Sequence, residues 1–347
     1  MNLKQLAESL GLSQTTVSRA LNGYPEVSET TRSRVLAAAE RVGYRPNTRA
    51  KALATGRSMM IGHVIHQSDR HEMLNPIFAD FIAGASEEYS VHGYDIILSI
   101  AQDGDDERVY RDMAAKGSVD GLILHSPKRD EPRIPLLQEI GLPFVVHGRS
   151  SDVTSTYSFV DVDNRRSFQR ATDFLSDLGH SRIALINGLE HMDFAHRRRR
   201  GYISALEGRG IRPDPALMFS GEMTEAHGFE ATRQLLELVH PPTAILSASP
   251  ITAFGVRRAA ESRGLTLGSD ISVITHDDDL SYFRNGGDAP IFTALRSSVR
   301  IAGRRAAESL IDLIDRPGEA RQTMLETDFL IGASTGPAPS APRLRKA

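Results

Sequence analysis

The chain of 347 residues contains no cysteine. Disulfides, thiol nucleophiles and cysteine-ligated metals are therefore excluded. No apolar run approaches the length of a membrane helix, and the opening MNLKQLAESL is amphipathic, unlike a charged-then-apolar leader. Those absences point to the cytoplasm and away from a membrane. Motifs for catalysis are missing as well. There is no GxxxxGK(S/T) phosphate loop and no GxSxG nucleophile turn. HEMLN (71–75) lacks the second histidine of a zinc-protease helix, and the consecutive carboxylates of HDDD (276–279) wrap a cation poorly. Neither a metal nor a cofactor is expected, and an enzyme would need a dispersed site.

The charge that is present is unevenly placed. Residues 1–57 hold nine Lys and Arg against four Asp and Glu, a balance of +5, whereas the whole chain carries −3 and the remainder therefore −8. A small basic head on an acidic body implies that the head alone meets a polyanion.

Leu3 to Gly23 reads as two short helices around a tight turn. Leu3, Leu6, Ala7 and Leu10 share one face at i, i+3, i+4, i+7. Gly11 suits a helix end, and Ser13 can cap the second helix with its side-chain oxygen. There Val17, Ala20 and Leu21 point inward, leaving Gln14, Thr15, Thr16, Ser18 and Arg19 outside, a polar face suited to a DNA major groove. Ser28 and Glu29 open a third helix carrying Val35, Ala38, Ala39 and Val42, ended by Gly43. The next stretch, YRPNTRAKALATGRS (44–58), sets Arg49, Lys51 and Arg57 among small apolar residues and could form two or three turns of helix. A helix so short is marginal by itself in water.

From Met59 onward strands and helices alternate. The expected strands are 60–66, 94–100, 120–126, 143–148, 158–162, 182–188, 244–249 and 272–277. The expected helices are 78–92, 107–116, 165–178, 198–209, 225–239, 252–263 and 298–314. Short apolar strands alternating with helices imply parallel sheets covered on both faces, here in two lobes with a ligand cleft at the strands' carboxyl ends. The proline-rich end, 333–347, reads as a disordered tail.

These features resemble the LacI/GalR family of bacterial transcription regulators. LSQTTVSRALNGYPEVSETTR (12–32), GYRPN (43–47), LGHSRIALINGL (178–189) and RRRRGY (197–202) carry the resemblance, which spans residues 1–330. LNPIFADFIAGA, PFVVHGR, NGLEHMDFA and VITHDDDLSYFRNGG look like that family's α-glucoside-operon repressors. The implied fold class is α/β: a three-helix helix-turn-helix head (1–45), a hinge (46–58) and a two-lobe body like a periplasmic binding protein (59–330), built on two parallel doubly wound sheets. Lobe 1 is expected over about 59–160 and 291–320, lobe 2 over about 161–290 and 321–332.

The resemblance implies a homodimer on near-palindromic operator DNA. Gln14, Thr15 and Arg19 would read base edges, while Thr16, Ser18 and Asn22 hold phosphates. Leu53 would wedge into the minor groove, with Arg49, Lys51 and Arg57 on nearby phosphates. In the cleft, Asp277 and Arg198 would hold hydroxyls of a small-molecule sugar effector and Phe194 would stack on its ring. Asn75, Arg149 and Ser247 are further contacts, with Asp193 and His147 as second choices. Of Arg197–Arg200, only Arg198 is expected to turn inward. HDDD departs from the Gly-Tyr-Asp-Asn pattern frequent in the family, leaving the use of Asp278 and Asp279 open. The implied function is a repressor released by sugar. The alternatives are co-repression by a non-sugar or phosphorylated metabolite, and a cytoplasmic solute-binding module. A solute-binding protein of this two-lobe form would normally carry an export signal and lack a basic head.

Overall fold

The structure is a computed structural model describing residues 2–21, 23–44, 56–66, 75–102, 105–287 and 289–339. The head, up to Met59, and the body that begins at Met60 form separate compact units. In the head, helices α1 (Leu3–Leu10), α2 (Gln14–Leu21) and α3 (Glu29–Arg41) each start at a side-chain cap. Asn2 and Gln5 cap α1 reciprocally, Ser13 Oγ accepts the Thr16 N–H at 3.0 Å, and Ser28 Oγ accepts that of Thr31 at 3.3 Å. These bonds satisfy backbone donors that a helix start leaves without partners. Leu6, Val17 and Val35 meet in a core completed by Ala7, Ala20, Ala38 and Ala39.

The body begins with β1 (Met60–His66), α4 (Pro76–His92), β2 (Asp95–Ala101), α5 (Asp106–Ala115) and β3 (Gly121–Leu124). Next come α6 (Arg133–Ile140), β4 (Phe144–His147), β5 (Phe159–Val162), α7 (Asn164–Asp177) and β6 (Ile183–Asn187). After these come α8 (Asp193–Gly208), β7 (Met218–Ser220), α9 (Glu225–Leu236), β8 (Ala244–Ser247), α10 (Pro250–Ser262) and β9 (Ser272–Asp277). The last elements are β10 (Thr293–Arg296), α11 (Val299–Asp315), β11 (Gln322–Leu325) and β12 (Asp328–Leu330).

Two six-stranded sheets result, in the orders β11-β5-β4-β3-β1-β2 and β12-β10-β9-β8-β6-β7. All pairings are parallel except that of the edge strand β12 with β10. The chain passes between sheets three times, after β5, after β10 and after β11. The lobe boundaries therefore move. Residues 293–296 belong to the second sheet, not to lobe 1, and residues 322–325 belong to the first, not to lobe 2. Strands of three or four residues are too short for their period to show in sequence.

Residues 333–339 are also not a loose tail. Ser334 is buried, accepting the Val273 N–H at 2.8 Å through its carbonyl and the Thr293 N–H at 2.9 Å through Oγ. The Ala338 N–H reaches the Leu178 carbonyl at 2.8 Å. Proline rules out a helix here but leaves an extended strap possible. Residues 340–347 lie outside the described residues.

The helices that cover the sheets approach backbone to backbone. A Cβ on Gly303 of α11 would fall 2.1 Å from the Phe81 carbonyl oxygen of α4, and one on Gly84 would fall 2.0 Å from that of Arg300. Gly228 and Gly255 do the same for α9 and α10, meeting the Thr252 and Glu225 carbonyl oxygens at 2.1 and 2.0 Å. Gly303→Ala should lower the thermal midpoint of the body by several degrees, as expected for overpacking of about 1–3 kcal/mol. Gly208→Ala, with no atom within 4 Å of its Cβ, should leave the midpoint unchanged or raise it. Equal midpoints for Gly303→Ala and the parent would refute the close-approach argument.

Candidate functional site

In the head, Gln14, Thr15 and Arg19 are exposed on the face of α2 opposite Val17 and Ala20, while Thr16 and Ser18 are half-buried. The Thr16 hydroxyl lies 2.8 Å from Ser13 Oγ and so belongs partly to the cap. Arg57 is half-buried. Asn22, Arg49, Lys51 and Leu53 lie outside the described residues.

In the body, a cleft lies between the lobes and has two chambers that share Asn75, Ser126, Phe194 and Met223. The inner chamber, of about 160 Å³, is lined by His147 and Arg149 from the first lobe and by Arg197, Arg198, His276 and Asp278 from the second. Asp161 and Asn164, flanking the first crossing, complete it. The outer chamber, of about 360 Å³, is walled mainly by Leu189, Met192, Ile251 and Phe283.

Strand alternation decides which aspartate faces the cleft. Successive residues of β9 point to opposite sides, so His276 and Asp278 share a face and Asp277 takes the other. Asp277 is buried away from both chambers, where its Oδ1 accepts the Asp279 N–H at 2.9 Å. Burial pushes its carboxyl above the usual range. Of the two, Asp278 faces the inner chamber and the expected Asp277 does not. The HDDD run resolves into a cleft histidine, a turn-making Asp277, a cleft Asp278 at 3.3 Å from His276 Nε2, and Asp279 in the left-handed region at φ 55. Burial pushes the Asp278 carboxyl up. The neighbouring His276, with its hydrogen bond, and the charges of Arg198 and His147 outweigh that and hold the carboxyl below the ordinary range.

Two more expected contacts are displaced. Ser247 is fully buried, and its hydroxyl donates to the Ser249 carbonyl at 3.1 Å. Asp193 lines neither chamber. It sits in the first turn of α8, where a carboxylate is favoured by the helix dipole, and it accepts the Ser151 N–H at 2.9 Å from the other lobe. It also holds Arg197 Nε at 2.6 Å. Helix α8 therefore starts five residues before the expected Arg198, and its first two turns present both Arg197 and Arg198 inward.

Arg197 turns inward against expectation. Its Nη1 lies 2.6 Å from Asp161 Oδ2, which also accepts Arg149 Nε at 2.8 Å. Arg198 is buried with Nε on Asn164 Oδ1 and Nη1 on the Ala248 carbonyl, both at 2.7 Å. Phe194 and Phe168 stand 4.9 and 5.1 Å from its guanidinium carbon. Burial lowers its pKa to about 10, which keeps it charged at neutral pH. Asn75 serves two purposes, since its Oδ1 caps α4 through the Ile77 N–H at 3.1 Å while the residue lines both chambers.

Behind the inner chamber, His147 stacks on Phe81 at 4.2 Å, and His125 bonds His63, which in turn lies 3.3 Å from the Tyr89 hydroxyl. Burial pushes His147 down to about 4 and His63 to about 3; His125 falls well below its ordinary value for the same reason. All three imidazoles are therefore neutral at pH 7.

A family model described as bacterial regulatory proteins, lacI family, matches residues 2–47. A second, described as periplasmic binding proteins and sugar binding domain of LacI family, matches residues 58–333. The chain belongs to the LacI family, a family of regulatory proteins and not of enzymes. It is 45% identical over 345 residues to the HTH-type transcriptional regulator AglR of Rhizobium meliloti (strain 1021), covering 98% of this chain and 95% of that one. The structure of a transcriptional regulator CelR–cellobiose complex is 30% identical, with a TM-score of 0.71 over 96% of this chain and 99% of that one. The lac repressor dimer bound to operator and the anti-inducer ONPF shares the fold, with a TM-score of 0.81 at 24% identity over 97% and 99% of the two chains. Among the described residues no helix is long and apolar enough to cross a membrane, and no group of three or more His, Asp or Glu could hold a metal.

The buried histidines predict a pH dependence. The folded state holds them neutral, whereas the unfolded chain takes up protons below about pH 6.5. Their contribution is complete above that value and is lost as pH falls towards the folded pKa. Between pH 7 and pH 5, His63 and His147 should each remove about 2 kcal/mol of stability. Thermal unfolding of the body at the two pH values should show the fall, and His63→Gln should make it shallower. A midpoint independent of pH over this range would contradict the buried neutral assignment.

Proposed function

We propose that the protein is a cytoplasmic repressor of a carbohydrate-utilisation operon that binds near-palindromic operator DNA as a homodimer. A neutral sugar in the interlobe cleft releases it, and an α-glucoside such as maltose, sucrose or trehalose is the favoured class. Gln14, Thr15 and Arg19 read base edges, with Thr16, Ser18 and Asn22 on phosphates. The segment 46–58 links the cleft to the head, with Leu53 as a minor-groove wedge and Arg49, Lys51 and Arg57 neutralising phosphates.

The observation that carries the reading is the charge balance of the inner chamber. Arg149, Arg197 and Arg198 line it with Asp161 and Asp278, Asp161 alone holds two of the guanidiniums, and Asp193 braces Arg197 from outside the chamber. A phosphorylated co-repressor would need surplus cations, whereas forks of donors and acceptors in a compensated site suit hydroxyls. Support for the family role comes from the similarity to AglR, and support for a sugar from CelR, a relative solved with cellobiose. The α-glucoside class rests on the four phrases that look like repressors of that kind, which hold the cleft residues Asn75, Arg149, Phe194 and Asp278.

Operator binding at fixed salt, with and without maltose, sucrose, trehalose and a phosphorylated hexose, tests the proposal. One or more of the neutral sugars should release the DNA and the phosphorylated one should not. Arg19→Ala should abolish sequence preference, a loss of about 1–3 kcal/mol per bidentate contact, with sugar affinity intact. Asp278→Asn should weaken sugar binding about tenfold or more, and Asp277→Ala should weaken it less. A larger effect from Asp277 than from Asp278 would overturn the assignment on β9, and release by the phosphorylated hexose alone would overturn the neutral-sugar reading.

A further inference from the structure

Beside the cleft, and wholly within the first lobe, lies another buried guanidinium. Arg133 opens α6, and its side chain folds back on the loop that joins β3 to that helix. Nε and Nη2 donate to the two carboxylate oxygens of Glu131 at 2.7 and 2.6 Å, and both residues are buried. Nη2 also donates to the His125 and Ser126 carbonyls at 3.1 and 3.3 Å. The same carboxylate accepts the Lys128 and Arg133 N–H groups at 2.9 and 3.2 Å. Two side chains thus grip the backbone of the loop at its start, its middle and its end.

The grip has a conformational purpose. Ser126 sits at φ 50, in the left-handed region, where a residue with a Cβ stays only if its surroundings impose it. The guanidinium on the carbonyls of Ser126 and its neighbour imposes it. A lysine, with a point charge in place of a planar fork, does not reproduce that set of bonds. Stability alone is a poor account of the pair, because taking two charges out of water can cost more than their attraction returns. What the pair supplies is one loop conformation in place of several.

That conformation puts one short stretch of chain to two uses. Ser126 borders both chambers. The residues after it run across the lobe boundary to the start of α8. There the Pro127 carbonyl accepts the Asp193 N–H at 3.1 Å, Lys128 bridges Met192, and the Arg129 N–H donates to the His191 carbonyl at 3.2 Å. Helix α8 in turn carries the cleft residues Phe194 and Arg198. A ligand held by both lobes binds in proportion to the share of molecules already joined, so whatever holds this loop also governs affinity.

We infer that Glu131 and Arg133 are positioning residues for the effector site. Their ion pair holds residues 126–129 in the form that both borders the chambers and joins the lobes. It thereby sets effector affinity although neither side chain lines a chamber. The inference rests on the reading of the cleft as a sugar site and adds to it a determinant of lobe closure.

Two variants of the full-length chain test it beside the parent. Arg133→Lys keeps the charge without the fork, and Glu131→Leu combined with Arg133→Met removes both charges and leaves neither unpaired. Hydrogen exchange without ligand reads the loop directly. The Arg129 and Asp193 amides, whose bonds cross between lobes, should exchange about tenfold faster or more in both variants. The Val146 and Ala248 amides, bonded within one lobe to the Ser158 and Ile186 carbonyls, should exchange as in the parent. In calorimetric titration with maltose, sucrose and trehalose, whichever sugar the parent binds should bind both variants about fivefold more weakly or worse. Parent-like exchange at Arg129 and Asp193, or faster exchange there with parent-like sugar affinity, would overturn the positioning role. Equal acceleration of the Val146 and Ala248 amides would mark general destabilisation and overturn it too. A parent chain that binds none of the sugars would overturn the sugar reading alone, and the exchange of the Arg129 and Asp193 amides would still decide whether the pair holds the loop.

Discussion

The two lobes meet through one buried guanidinium. Arg197 projects from the second lobe, takes the carboxylate of Asp161 in the first, and is braced from behind by Asp193 one helical turn away. Removing one partner of such a group leaves an uncompensated buried charge, typically about 3–5 kcal/mol, so the three residues stand or fall together. Around them the backbones join as well. Lys128 bridges Met192, the Arg129 N–H reaches the His191 carbonyl and the Asp193 N–H reaches that of Pro127. Elsewhere, between α4 and the segment after β9, the lobes are tied differently. Asp80 accepts the Ser281 N–H at 2.8 Å and its hydroxyl at 2.6 Å. One tie is ionic and buried, the other is a carboxylate on neutral donors, and the inner chamber shares residues with the first.

That arrangement explains which parts of the site were legible in the sequence. The helical head was legible because its signals are local, with caps at Ser13 and Ser28 and an i, i+3, i+4, i+7 stripe through Leu6 and Ala7. The two sheets were legible because β1, β3, β6 and β9 are apolar runs bounded by polar residues. Arg198, Phe194, His147 and Arg149 all line the cleft, His147 and Arg149 at or just after the end of a strand and Phe194 and Arg198 on the first turns of the helix that follows β6.

What escaped depends on phase and on pairing between distant segments. Asp277 and Asp278 differ by one residue, and only the pleat of β9 says which faces in. Arg197 and Arg198 lie side by side on α8, and whether one or both turn inward depends on an acid at position 161, across a crossing. Ser247 sits at a strand end, yet its hydroxyl is turned into its own turn. The apolar wall at Ile251 and Phe283 comes from a first turn of helix and an irregular segment, where no periodicity announces it. Short strands such as β10 and β11 likewise become strands only by pairing, which is why their lobes were exchanged.

The glycine contacts between covering helices bear on how the molecule moves. Where Gly84 and Gly303, or Gly228 and Gly255, bring two backbones together, neither helix can slide along the other without driving carbonyl into Cα. Each lobe is thereby geared as a solid piece. Work done by a ligand on the walls of the cleft has no soft helix interface in which to dissipate. The three crossings after β5, β10 and β11 are the only covalent links between the two sheets among the described residues, so any change of angle between the lobes turns about them.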